Sequence, residues 1–205
     1  MKAYKKTKEK LIKSAINHFS EKGYEGASIR DIALEADINN TMISYHFGGK
    51  KQLYNSCIEY VYAKSNENMI TIEHEVAFAE ENKLEPEMWL SIFKKMLLKR
   101  ITFFTEPKSR NLYLFLFRAK LADISSPKHT EDLDSHIILT HKVIGGINKL
   151  DSCSPEVIKK SLVITSLIHA LVVSEYIVLN SFGFRKYTPK FIDEYIEYLV
   201  KEATI

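Results

Sequence analysis

From Thr7 to Lys22 the apolar residues Leu11, Ile12, Ala15, Ile16 and Phe19 recur at the i, i+1, i+4, i+5, i+8 spacing of an amphipathic helix with one buried face. Gly23 follows the last turn as a helix stop, with Tyr24 placed to pack back on it. Ser28 and Asp31 have the spacing of a capping box, so a second helix is expected from Ser28, with Ile29, Ile32, Ala33 and Ala36 on its inner face. Asp37-Ile38-Asn39 suits a tight turn, and a third helix of about Asn40 to His46 follows. That helix is too short to be stable alone and needs packing partners. The first 47 residues therefore form a three-helix unit ending in a helix-turn-helix, itself too small to stand without outside support.

The remaining pattern is also helical, and the predicted fold class is all-α. After Gly48-Gly49 a helix runs from about Lys50 to Asn66, with Leu53, Tyr54, Cys57, Ile58, Val61 and Tyr62 inward. It joins the first unit to the rest and is a candidate transmission rod. Pro86 begins a helix through Phe104, and Pro107 begins another in which Leu112 to Phe117 is nearly all apolar and is expected to be buried all round. A break at Ser125-Ser126-Pro127 precedes a helix from about Glu131 to Leu150. Ser154-Pro155-Glu156 starts a helix to about Ser181 with apolar residues on more than one face. The last helix, about Pro189 to Glu202, carries Phe191, Ile192, Tyr195, Ile196, Leu199 and Val200 as inward doublets.

The third helix has a polar face of unusual make-up. At 100° per residue Asn40, Thr41, Ser44 and Tyr45 share one arc, with Ile43 and Phe47 outside it. Small hydrogen-bonding groups and one phenol, with no acid, suit base edges or phosphates in a major groove. The arc alone fits a solvated helix face equally well.

Charge distribution adds to this picture. Six lysines between Lys2 and Lys13 face only Glu9, a net +5 at the start of a chain whose formal total is +3, whereas Ser65 to Glu87 holds seven glutamates against Lys83. A polyanion is drawn to the N-terminal end. The 205 residues, 45% of them hydrophobic, suffice for one large or two small domains with a substantial core. Cys57 and Cys153 lie far apart without a C-x-x-C or a His/Cys cluster, which suggests neither a disulfide framework nor a metal site and points to a reducing cytoplasm. Cys57 falls in an apolar stripe and is expected to be a buried structural thiol. No apolar signal region follows the basic N-terminus, and the longest apolar run, Leu162 to Val173, is too short and too interrupted to span a membrane.

Thr7, the Leu11-Ile12…Ala15…Phe19 face, Lys22-Gly23-Tyr24, Ser28-Ile29-Arg30-Asp31-Ile32-Ala33, Ala36, Ile38 and Tyr45-His46-Phe47 followed by Lys50 and Leu53 resemble the N-terminal domain of the TetR family of bacterial transcriptional regulators. The resemblance covers about Thr7 to Tyr54. It implies a DNA-binding helix-turn-helix domain over residues 1–49 and a larger helical effector-binding and dimerisation domain over 50–205. By position it assigns Ser28 and Arg30 to a phosphate and to a phosphate or guanine edge. It gives Asn39, Asn40, Thr41 and Ser44 to the base-reading region, Tyr45 and His46 to the DNA backbone, and Lys50 to a phosphate. The Lys2 to Lys10 arm would add minor-groove or backbone contacts. Three departures lie on or beside the reading face: Asp37 where glycine is usual, Ser44 where an aromatic is common, and Asn39-Asn40-Thr41 in place of a basic and small sequence. They imply an operator of this protein's own.

The resemblance further implies a homodimer through the helices about 154–181 and 189–202, a roughly palindromic double-stranded operator, and repression relieved by a small-molecule effector. Trp89, Phe93, Phe103, Tyr113, Phe117, His136 and Tyr176 are candidates to line an effector cavity, and an aromatic core without ligand accounts for each of them as well. No catalytic residue, metal or cofactor is expected. Two other functions stand beside this one: a DNA-binding protein of the same fold without an effector, and a cytosolic helical enzyme. The latter lacks any G-x-S-x-G, H-E-x-x-H or E-x-x-H motif.

Overall fold

The computed structural model describes residues 2–122 and 131–204, with side chains throughout those ranges except at 2, 3, 107, 108, 120–122, 131–135 and 176. The expected break at Ser125-Ser126-Pro127 lies outside the described residues. Ten helices are present among them: α1 (Lys2–Gly26), α2 (Ile29–Glu35), α3 (Thr41–Phe47), α4 (Lys50–Glu81), α5 (Pro86–Thr105), α6 (Pro107–Ala122), α7 (Glu131–Asn148), α8 (Pro155–Val173), α9 (Glu175–Ser181) and α10 (Pro189–Ala203). The chain is all-α, as its periodicity predicts.

The helices group into two compact units, one of Met1–Ser65 with Pro107–Ser125 and one of Asn66–Glu106 with Ser126–Ile205. In the first unit the α1 face of Leu11, Ile12, Ala15, Ile16 and Phe19 is almost fully buried, together with Ile32, Ala33, Ile43, Leu53, Cys57 and Val61. Support for the small helix-turn-helix comes from α6, a helix far along the chain. Phe115 packs with Phe19 and Tyr54 at ring-centre distances of 6.1 and 5.3 Å, and Arg118 Nη1 donates to the Glu21 carbonyl at 3.0 Å. The apolar run of α6 is not buried all round: Tyr113 and Phe115 are buried, while Leu112, Leu114, Leu116 and Phe117 are half-buried. Cys57 lies in the core with its thiol 3.7 Å from the Ile12 carbonyl, and burial pushes its pKa up, so it stays an unreactive thiol.

In the second unit α5 is the centre, contacting α7, α8 and α10. Phe93, Met96, Leu97 and Ile101 of α5 are fully buried, with Val143 and Ile144 of α7, Ile164 and Ile168 of α8, and Leu199 of α10 around them. The guanidinium of Arg100 is buried with them and donates to Thr140 Oγ1 at 2.9 Å. Trp89 directs its indole N–H to the Leu84 carbonyl at 3.1 Å.

Three further elements depart from the sequence pattern. The lysine-rich start is not an arm: Lys2 to Lys10 continue α1 as helix, because lysine and glutamate are good helix formers even without apolar periodicity. The helix after Gly48-Gly49 ends at Glu81 instead of Asn66, since Met69, Ile72, Val76 and Ala79 maintain a buried stripe through the acidic stretch. The helix expected from 154 to 181 is interrupted at Ser174 (φ −111°, ψ 24°), which separates α8 from α9.

Candidate nucleic-acid interface

Ser28 ends the α1–α2 connection as an extended N-cap, and its Oγ accepts from the Arg30 amide at 3.2 Å. Such a cap stabilises a helix start by about 1 kcal/mol. Asp31 closes no box on it and lies instead 3.9 Å from Lys22 Nζ. The buried Ser14 hydroxyl donates to the Ile32 carbonyl at 2.8 Å, and Glu35 takes bonds from His18 (2.8 Å) and Asn17 (3.1 Å). Helix α2 is thus held to α1 along its whole length, and the Arg30 side chain is left exposed.

Asp37 adopts φ 55°, the left-handed conformation that the turn demands and that Asp tolerates better than most residues. The turn then closes on Asn39, whose Oδ1 accepts from both the amide (3.0 Å) and the hydroxyl (2.9 Å) of Thr41. Asn39 is therefore engaged as the cap that orients α3, and Asn40 makes no side-chain cap bond. Ile43 and Phe47 anchor α3 in the core, Met42 is half-buried, and Asn40, Thr41, Ser44 and Tyr45 are all exposed on the outer side. Gly48 ends the helix at φ 84°, where its amide donates to the Ser44 carbonyl. The predicted arc is present as one exposed surface, and Arg30 at the start of α2 is exposed as well.

Lys50 and His46 are less open. Lys50 Nζ lies 3.2 Å from the Glu25 carbonyl and 4.7 Å from the Tyr24 ring centre, so it ties the start of α4 to the end of α1. Both His46 ring nitrogens are shut off from solvent and find no hydrogen-bond partner among the described residues. The ring is covered by Tyr4 at 4.5 Å, a residue to which no sequence motif points. In this conformation His46 presents neither nitrogen to a phosphate. Burial, and secondarily the Lys8 charge, lower its pKa, which favours the neutral ring.

The effector candidates do not form one set. Tyr113 and Phe117 belong to the first unit, where they stack on one another at 6.2 Å. In the second unit Trp89 and Phe93 are buried core residues and His136 Nε2 is 3.1 Å from Asn66 Oδ1. Phe103 edges a hollow of about 250 Å³ with Asn68, Leu98, Lys99, Thr102 and Glu106. A larger hollow of about 390 Å³ runs between α4 and α5 beside Phe78, Leu84, Met88 and Ile92. The Tyr176 side chain lies outside the described residues. Among the described residues no group of His, Cys, Asp or Glu could hold a metal ion, and no helix is long and apolar enough to cross a membrane.

Residues 11–57 match the model of the tetR family of bacterial regulatory proteins. The chain is 33% identical over 76 residues to the HTH-type transcriptional repressor NicS of Pseudomonas putida, a match that covers 37% of this chain and 36% of that protein. It is 42% identical over 52 residues to the biofilm operon icaADBC HTH-type negative transcriptional regulator IcaR of Staphylococcus aureus, covering 25% and 28%. The chain thus spans about a third of the length of these relatives. Over nearly the whole chain its fold is similar to that of a TetR-like transcriptional regulator from a Rhodococcus species, with a TM-score of 0.66 and 18% identity over 96% of this chain and 93% of that one.

Proposed function

We propose that the chain, whose residues 11–57 match the model of the tetR family of bacterial regulatory proteins, is a homodimeric DNA-binding transcriptional regulator, a repressor that leaves a palindromic operator when a small molecule binds its C-terminal domain. The observation that carries this function is the outer side of α3, where Asn40, Thr41, Ser44 and Tyr45 stand exposed while Ile43 and Phe47 are buried beneath them. Residues 1–49 act as the DNA-binding domain and 50–205 as the effector-binding and dimerisation domain. Asn40, Thr41 and Ser44 meet base edges, Arg30 a guanine edge or phosphate, and Ser28, Tyr45 and Lys50 the backbone.

Support for the dimer comes from α8 to α10. Leu162 and Val163 are about half exposed and Ile177 is 65% exposed, while Tyr198 of α10 is 47% exposed. That much apolar surface favours a second copy. A two-fold pair sets two reading helices about one DNA turn apart. Release follows from linkage, because an effector that prefers a state with wrongly spaced reading helices lowers DNA affinity by its differential affinity, typically about 1–3 kcal/mol. Trp89 and Phe93 in the core favour a second version, the same DNA-binding fold without an effector.

Selection of bound duplexes from a random pool tests the assignment. Enrichment of an inverted repeat that is also shifted by the protein at low salt is expected, and failure to enrich any sequence overturns sequence-specific binding. A thermal-shift screen of metabolites separates the versions with and without an effector.

A further inference from the structure

Tyr4 and Lys8 lie one turn apart on α1, and helix spacing turns both toward the same neighbour. That neighbour is the C-terminal end of α3. The Tyr4 ring is 4.5 Å from the His46 ring and meets Tyr45 edge-on at 6.4 Å, while Lys8 Nζ is 5.4 Å from the centre of the Phe47 ring. Tyr45 and His46 are in turn edge to face at 5.1 Å. Three aromatic rings therefore close a triangle, with His46 inside and Tyr45, 70% exposed, outside.

We propose that Tyr4 is a positioning residue for DNA binding: it holds His46 as a wedge between α1 and α3, and through it presets the phenol of Tyr45 against the DNA backbone. The inference rests on the DNA-binding function proposed above. An exposed tyrosine on a seven-residue helix has several rotamers in solution, and fixing one of them on DNA costs affinity. Edge-to-face contacts with Tyr4 and His46 fix it beforehand. The wedge also accounts for the state of His46. Its two ring nitrogens face no partner among the described residues because the ring works by shape, and the polar contact with DNA falls to the Tyr45 hydroxyl. The helical form of the lysine-rich start has a purpose in the same scheme, since only a continuous α1 brings Tyr4 to this place.

The test measures affinity for the selected duplex by fluorescence anisotropy across a salt series. Tyr4→Ala is expected to weaken binding by about 3- to 10-fold, the range that ordering one side chain implies, with an unchanged salt slope because no cationic charge is removed. Tyr4→Phe is expected to bind within about twofold of the wild type, as the ring and not the hydroxyl does the positioning. In a Tyr45→Ala background, Tyr4→Ala is expected to add little. Full affinity in Tyr4→Ala overturns the proposal, and so does a gain, which would show that Tyr4 masks His46. An additive loss in the Tyr45→Ala background overturns it in favour of direct contact between Tyr4 and DNA. A DNA-free measurement separates this inference from the function on which it rests. The ring protons of His46 and Tyr45 are expected to show ring-current shifts that collapse in Tyr4→Ala and persist in Tyr4→Phe. Unmoved shifts overturn the wedge whether or not the wild type binds DNA.

Discussion

A β-carbon added to Gly146 of α7 would lie 2.2 Å from the indole ring of Trp89 on α5, so the two helices approach through a glycine that the tryptophan covers. Trp89 is thereby a packing residue of the second unit, and its indole N–H is already engaged by the Leu84 carbonyl. Gly146→Ala is expected to lower stability by about 1–3 kcal/mol through overpacking, despite alanine's better helix propensity. Thermal unfolding followed by circular dichroism measures the loss. Unchanged or higher stability would show that α5 and α7 can part without cost.

On the proposed DNA-binding function, Arg30 and the lysines of α1 are expected to contribute in separable ways. If Arg30 reads a guanine, Arg30→Ala costs about 1–3 kcal/mol on the selected duplex and relaxes preference at one base pair of each half-site. Lys5→Gln and Lys6→Gln remove charges that are exposed on the first turns of α1. Each is expected to reduce the log–log salt slope by about 0.9 while leaving base preference unchanged, if each neutralises one phosphate. Binding assays on the selected duplex and on single-base variants distinguish these patterns. A uniform loss in Arg30→Ala across all variants assigns Arg30 to the backbone.

Much of this architecture was legible because local rules and tertiary packing agree. The α1 face, the Ser28 cap, the turn at Asp37 and the two anchors of α3 each follow from spacing or residue type. What was not legible depends on residues distant in sequence or on signals with no strong residue. Phe115 joins Phe19 and Tyr54 across a long separation, and periodicity cannot name a partner helix. Ser174 interrupts the apolar run of α8 and α9 without a glycine or proline to mark it. Tyr4 is a single aromatic among lysines, and its value appears only once α1 is seen to extend beside His46. The Lys50 contact with the Glu25 carbonyl likewise has no sequence motif.

The exposed apolar positions of α8 and α9 give the proposed dimer a direct test. Leu162 and Ile177 lie on the solvent side of a helix pair whose inner side is filled by Ile164, Ile168 and Leu171. Leu162→Glu and Ile177→Glu should therefore leave the fold of the chain intact and disrupt the paired state. Sedimentation at micromolar concentration is expected to show a dimer for the wild type and a monomer for the double variant. Affinity for the palindromic duplex should fall steeply in the variant, because each half-site is then bound alone. A double variant that stays dimeric places the interface elsewhere.

The His46 imidazole faces Tyr4, Tyr45 and Phe47 with the Lys8 ammonium nearby, and no carboxylate among the described residues is in contact to favour its charged form. Burial first, and the lysine charge second, lower its pKa from the ordinary value near 6.5. The sign follows from linkage. The unfolded chain takes up this proton more readily than the folded one, so the stabilisation is fully present above about pH 6.5 and is lost as the pH falls through the lowered folded value. An NMR titration of the His46 ring protons is expected to give a midpoint below 6.5. Thermal stability should decline between pH 7 and 5 more steeply in the wild type than in His46→Phe, which keeps an aromatic wedge without a titrating group. A midpoint at or above 6.5 would mean that the ring is hydrated or paired, and that Tyr4 does not cover it in solution.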